Sequence, residues 1–321
     1  MDAKTHLDPE VAAALQGAPI TMMDFGTLEF SGLPALREAM ATMARPPLPP
    51  TRTVWEDHTV PGREGHPDLT VRVYRAPDTP TPAPVIYWIH GGGYMFGSAL
   101  TEDARLNRWA EELGCVVVSV EYRLAPEDPY PAPLEDCYTG LLWTAAHAGE
   151  LGIDLSRLAI AGASAGGGLA AGLALLARDR GEVAVAYQLL IYPMIDDRNE
   201  TGSSHIETVV WTRAANHLGW RAYLGTASGE GGPPPYAAPS RATDLSGLPP
   251  AYIGVGTLDV FRDEDVDYAM RLLAADVETE LHVYPGAPHG FEMMAPQSVV
   301  AKRCQQDIDA ALRRALHPPR P

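Results

Sequence analysis

What most restricts this chain is Leu158 to Leu169, LAIAGASAGGGL: an apolar run, then Gly162-Ala163-Ser164-Ala165-Gly166, then an Ala/Leu/Gly helix pattern. G-x-S-x-G in a strand-turn-helix setting predicts a sharp turn, because glycine omits the side chains that would collide where strand and helix converge. Such a turn places Ser164 at its tip, the hydroxyl exposed beside the first N–H groups of the helix. One match is moderate evidence, since a chain with 30 glycines produces roughly 0.1 such patterns by chance.

A serine hydroxyl is a poor nucleophile at neutral pH, so Ser164 needs a base and a receiver for negative charge. Upstream, His90-Gly91-Gly92-Gly93 follows directly on the apolar run Val85 to Ile89. Consecutive glycines let backbone N–H groups converge on one small acceptor. A phosphate cradle is the competing reading, but it lacks the G-x-x-x-x-G-K-[ST] pattern and a nearby lysine. If the base lies downstream, the candidates are His205, His217, His282, His289 and His317. His205 and His217 fall in a long insertion, His282 inside a strand pattern and His317 in a proline-rich tail. His289 alone follows the last strand in a loop. Asp259 comes first off the strand pattern Ala251 to Gly256 and is the expected orienting acid; Asp196 is the weaker rival. Asp263 and Asp265 read as capping and charging the first turn of the next helix.

Strand patterns at Thr53 to Val60, Leu69 to Tyr74, Val85 to Ile89, Val116 to Glu121, Leu158 to Ala161, Tyr187 to Ile191, Ala251 to Gly256 and Glu280 to Tyr284 are eight in number. Helical patterns at Glu102 to Leu113, Leu134 to Ala148, Gly167 to Asp179, Glu264 to Ala275 and Val299 to Leu316 alternate with the later strands. That alternation predicts an α/β fold with a mainly parallel sheet covered on both faces. Two segments stand outside it. Residues 1–50 carry helical patterns at Pro9 to Leu15 and Leu33 to Met43, and residues 196–250 are too long for a plain connection. Both are expected to form a cap, over a catalytic domain of residues 51–195 and 251–321.

A formal charge of −17, with only Lys4 and Lys302 as lysines, argues against a nucleic-acid partner. Cys115, Cys137 and Cys304 are odd in number and form no C-x-x-C pair, so they read as reduced packing residues. No apolar run is long enough to span a bilayer and no signal-peptide core is present, which predicts a cytoplasmic protein without membrane contact.

The motifs together resemble the bacterial hormone-sensitive-lipase-like esterases of the α/β-hydrolase fold. The likeness rests on HGGGY (His90 to Tyr94), EYRLAPE (Glu121 to Glu127), YPAPLEDCY (Tyr130 to Tyr138), GASAGG (Gly162 to Gly167), APSRATDLSGLPP (Ala238 to Pro250), LDVFRDE (Leu258 to Glu264) and PHGF (Pro288 to Phe291). Within that family it is strongest to acetyl-esterase and heroin-esterase-like members. It implies an α/β-hydrolase fold with a mostly parallel eight-stranded sheet, a Ser164, Asp259, His289 triad, and an oxyanion hole from the N–H groups of Gly92, Gly93 and Ala165. His90, Gly91, Glu127 and Asp136 would support the glycine loop, and Ala125-Pro126 and Tyr130-Pro131 would be cis. Ala163 and Val260-Phe261 depart from the family pattern. Tyr94, Met95, Phe96 and Trp211 are pocket candidates, with plain packing as the alternative.

The expected activity is hydrolysis of short-chain acyl (acetyl to hexanoyl) or aryl esters through an acyl-Ser164 intermediate, without metal or organic cofactor. Amidase or acyltransferase chemistry on the same triad, and a non-catalytic ligand-binding protein, are the rival readings. A homodimer through the last strand and the C-terminal helix is a further expectation.

Overall fold

The computed structural model describes residues 6–16, 28–42, 50–63, 65–227 and 231–318. The β-branched runs form strands β1 (Val54–Val60), β2 (Leu69–Arg75), β3 (Ala83–Ile89), β4 (Val116–Glu121), β5 (Ile153–Ala163), β6 (Tyr187–Ile191), β7 (Ala251–Gly256) and β8 (Thr279–Tyr284). They make one eight-stranded sheet of order β1-β2-β4-β3-β5-β6-β7-β8. β1, β2 and β4 pair antiparallel; β4 to β8 are joined by parallel pairings.

Alternation along β3 divides the core. Val85, Tyr87 and Ile89 face one apolar layer, Ile86 and Trp88 the other, and every residue of the strand is buried. Helices α4 (Ala132–Ala146), α6 (Ala165–Arg180) and α8 (Arg262–Ala274) cover the first layer. α3 (Asp103–Glu112) and α10 (Val299–Leu316) cover the second, joined by α1 (Pro9–Leu15) through Val11 and Leu15. A sheet buried on both faces is why its central strands read as unbroken apolar runs.

Boundaries moved where tertiary contacts override local pattern. β5 starts at Ile153, before the expected Leu158, because Ile153 pairs with Ala83 across a register shift. The expected Leu134 to Ala148 helix runs from Ala132 to Ala146 and gives way at His147 to the short α5 (Ala148–Leu151). The remaining helices are α2 (Leu33–Thr42), α7 (Arg213–Leu224) and α9 (Phe291–Met294). The expected end of the α2 pattern, Met43, lies outside the described residues. α7 falls within the 196–250 insertion. The peptide bonds before Pro126 and Pro131 are cis, as is that before Pro82.

Candidate active site

β5 ends at Ala163 and α6 begins at Ala165, so Ser164 alone makes the turn, with φ 56° and ψ −122°. A side chain held in such backbone costs about 1–3 kcal/mol. Surrounding bonds impose it: Ser164 N donates to Ile191 O, and Ser164 O accepts from Gly168 N and Met194 N, each at 2.9 Å. The flanking glycines are obligatory here. A Cβ at Gly162 would lie 2.2 Å from Gly166 O, and one at Gly166 would lie 2.1 Å from Ile89 O.

Three side chains distant in sequence meet at the carboxyl ends of β5, β7 and β8. His289 Nε2 lies 2.9 Å from Ser164 Oγ, and His289 Nδ1 lies 2.7 Å from Asp259 Oδ2. Asp259 is fully buried, and its Oδ1 accepts from Phe261 N at 3.0 Å. The imidazole sits among rings: Tyr192 at 4.6 Å, Phe261 at 5.1 Å and Trp211 at 6.4 Å between centroids. The rival Asp196 instead holds Arg198 at 2.5 Å, and His282 pairs with Glu280 at 2.7 Å.

The glycine loop packs directly on this turn: a Cβ on Gly91 would lie 2.8 Å from Ala163 O and 3.4 Å from Ser164 Cβ. Gly92 O accepts from Met95 N and Phe96 N at 3.1 and 2.9 Å, which closes the loop into a tight turn. Gly92 and Gly93 take φ of 126° and 59°, values that favour glycine. Ala165 opens α6, so its N–H has no partner within the helix. His90 is buried under the loop, stacked on Tyr122 at 4.1 Å, with Nδ1 2.9 Å from Gly91 O. Burial lowers its pKa to about 4. Asp136 accepts from Arg123 N, Nε and Nη2 at 2.7–3.0 Å. Glu127 accepts from Arg37 Nη1 at 2.9 Å, and Ala125 N donates to Tyr94 O at 3.0 Å.

Two expectations need correction. Tyr94 and Met95 have no exposed surface. Tyr94 stacks on Tyr223 at 3.9 Å and donates to Met194 O, so it supports the loop and does not line an open pocket. Phe96 is 5% and Trp211 7% exposed; Trp211 lies against Gly93, where a Cβ would come within 2.2 Å of its ring. The second concerns α8, which has no side-chain cap. Asp263 Oδ2 instead accepts from Ser203 N at 2.7 Å, and both carboxylate oxygens of Asp265 are buried without a hydrogen-bond partner. Its neighbour Glu264 accepts from Ile195 N and Asp196 N at 3.0 and 3.1 Å, bracing the chain beyond β6.

Three contributors escaped the sequence reading. Tyr192 follows directly on the buried strand β6, which was its available signal, and Phe261 stood in the LDVFRDE stretch without being given a role. Arg37 had none: its Nε reaches Met95 O at 2.7 Å and its Nη2 reaches Ala125 O at 2.6 Å from another part of the chain.

A family model described as alpha/beta hydrolase fold matches residues 86–293. The carboxylesterase NlhH of Mycobacterium tuberculosis is 37% identical over 321 aligned positions, covering 98% of this chain and 98% of the relative. Among solved structures, a bacterial heroin esterase is 44% identical with a TM-score of 0.87, covering 98% of this chain and 99% of its own. The esterase LipW of Mycobacterium marinum is 38% identical with a TM-score of 0.86, over 98% of both chains. With motifs, strand order and relatives in agreement, the chain belongs to the hormone-sensitive-lipase-like esterase family of the α/β-hydrolase fold.

Proposed function

We propose that this protein is a carboxylesterase that hydrolyses short-acyl (acetyl to hexanoyl) or aryl esters through an acyl-Ser164 intermediate. The observation that carries this reading is the pair of bonds, 2.9 and 2.7 Å, that links Ser164 through His289 to Asp259. Ser164 Oγ attacks the ester carbonyl as His289 Nε2 takes its proton, and Asp259 keeps the other proton on Nδ1. The carbonyl oxygen becomes an anion received by the N–H groups of Gly92, Gly93 and Ala165. His289 returns the proton to the departing alcohol. It then activates water against the acyl-enzyme. General-base help contributes about 10²–10⁴-fold and each oxyanion donor about 10²–10³-fold.

Trp211, packed on Gly93 and 6.4 Å from the His289 ring, leaves the glycine loop closely covered beside Ser164, which supports the short-acyl reading. In this reading α2 and the 196–250 insertion act as the cap: Arg37 ties the first to the loop, and Trp211 seats the second on Gly93. α1 docks elsewhere, beside the His289 loop. Among the described residues no helix is long and apolar enough to cross a membrane, and all three cysteines are free and buried, which supports placing the protein in the cytoplasm. β8 is an edge strand with α10 nearby, which makes that edge the candidate homodimer interface.

A chain-length series of p-nitrophenyl esters tests the reading. Turnover is expected to peak between acetate and hexanoate and to vanish in Ser164→Ala; a peak at decanoate or beyond would remove the short-acyl assignment. Organophosphate labelling of Ser164 should be lost in His289→Ala, and equal labelling would remove the role given to His289.

A further inference from the structure

Two hydrogen bonds define only a line through the His289 ring, from Ser164 Oγ to Asp259 Oδ2. Small coupled changes in χ1 and χ2 would still let the ring roll about that line and turn the Nε2–H vector off the leaving group. We infer that Tyr192 and Glu292 are positioning residues that set the plane of the imidazole.

The Tyr192 ring meets His289 at 4.6 Å with planes 63° apart, one wall of the aromatic slot whose other wall is Phe261 at 5.1 Å and 87°. A wall positions only if it is itself immobile. Tyr192 is 1% exposed and has a positive φ of 36°. Its N–H donates to Gly254 O at 2.7 Å, and its hydroxyl donates to Glu292 Oε1 at 2.5 Å. The Glu292 side chain is 0% exposed and lies in α9, three residues past His289, so the acid that anchors the wall sits on the element that directly follows the base. Arg105 Nη2 donates to the same Oε1 at 2.7 Å, while Arg105 Nη1 lies 3.0 Å from Glu102 Oε2.

The network therefore bolts together the region of α3, the residue after β6 and the turn α9. Buried ionic networks are seldom more stabilising than apolar side chains of the same shape. What this one supplies is a defined geometry. Phenylalanine at 192 would fill the slot equally well; only the hydroxyl connects the ring to Glu292.

Steady-state hydrolysis of p-nitrophenyl butyrate, with rates expressed per serine titrated by paraoxon, tests the inference, which rests on the esterase reading above. Tyr192→Phe is expected to lower kcat about 5- to 30-fold with KM changed less than about twofold, the pattern of a misaligned catalytic group. Glu292→Ala should lose at least as much, Glu292→Gln should recover most of that loss, and the Tyr192→Phe/Glu292→Ala pair should be no worse than the poorer single variant. An unchanged kcat in Tyr192→Phe, or a loss confined to KM, overturns the positioning role even if Glu292→Ala fails to fold. A wild-type protein with no esterase turnover would instead sink the proposed function, so the two failures are distinguishable.

Discussion

Ser164 and Gly93 are the two residues whose backbone does the most to shape the site. Gly93 adopts φ 59° with the Trp211 ring in the space a side chain would take. Gly93→Ala should therefore displace one of the proposed oxyanion donors, lowering kcat on p-nitrophenyl acetate about 10²-fold or more. Asp265 makes the opposite kind of case. Burial, then the nearby Glu264 and Asp259, raise its pKa well above the usual aspartate value. The folded state thus keeps a proton that the unfolded chain gives up above about pH 4, so stability falls as pH rises through that window. Asp265→Asn should raise Tm by a few degrees at pH 8, equivalent to about 1–3 kcal/mol, with the gain vanishing near pH 4. Thermal scans at both pH values check this. The triad could be read from the sequence because its members are the first serine after β5, the first carboxylate after β7 and the first histidine after β8. Asp265 could not: its place in an acidic first turn suggested solvent, and only the packing of α8 against the core shows it buried.

Among the elements, α2 is tied by hydrogen bonds to the glycine loop through Arg37. Arg37 donates to Met95 O, Ala125 O and Glu127, so one guanidinium holds the loop and the segment beside it in register. Arg37→Ala should reduce kcat about tenfold if the loosened glycine loop carries the proposed oxyanion donors, while organophosphate labelling of Ser164 still goes to completion. Equal kcat in the variant and the wild type would mean that α2 merely covers the loop. The helical period of Leu33 to Met43 was enough to recognise this element. Its attachment was not, because Arg37 and Met95 are 58 residues apart and no local pattern encodes such a contact. Helix starts were similarly hidden at α4, where Ala132 N donates to Pro129 O and Glu135 N to Pro131 O, bonds that depend on how the preceding proline-rich turn is folded.

Across the whole molecule, the mainly parallel sheet and its two covered faces followed from strand-helix alternation, since such a sheet needs helices on both faces; the strand order, in which β4 lies between β2 and β3, did not. The footing of α1 and α2 did not follow: α1 docks by Asp8 N on Gly286 O, whereas α2 docks by Arg37 on Met95 O. Acid should weaken the entire structure through His90. Its folded pKa of about 4 lies below the ordinary 6.5, so its contribution is complete above about pH 6.5 and is lost as pH falls toward 4. That amounts to about 3 kcal/mol by linkage. Urea midpoints measured from pH 7 to pH 4 should fall less steeply in His90→Gln than in the wild type. The packing of α1 has a further consequence for how the polypeptide is made. Asp8 N donates to Gly286 O, and Glu10 accepts from Val299 N across a separation of 289 residues. At elongation rates of about 5–20 residues per second, α1 leaves the ribosome roughly 15–60 s before its docking surface exists. Its apolar stripe of Val11 and Leu15 therefore waits uncovered through nearly all of translation, the interval in which a chaperone would find it.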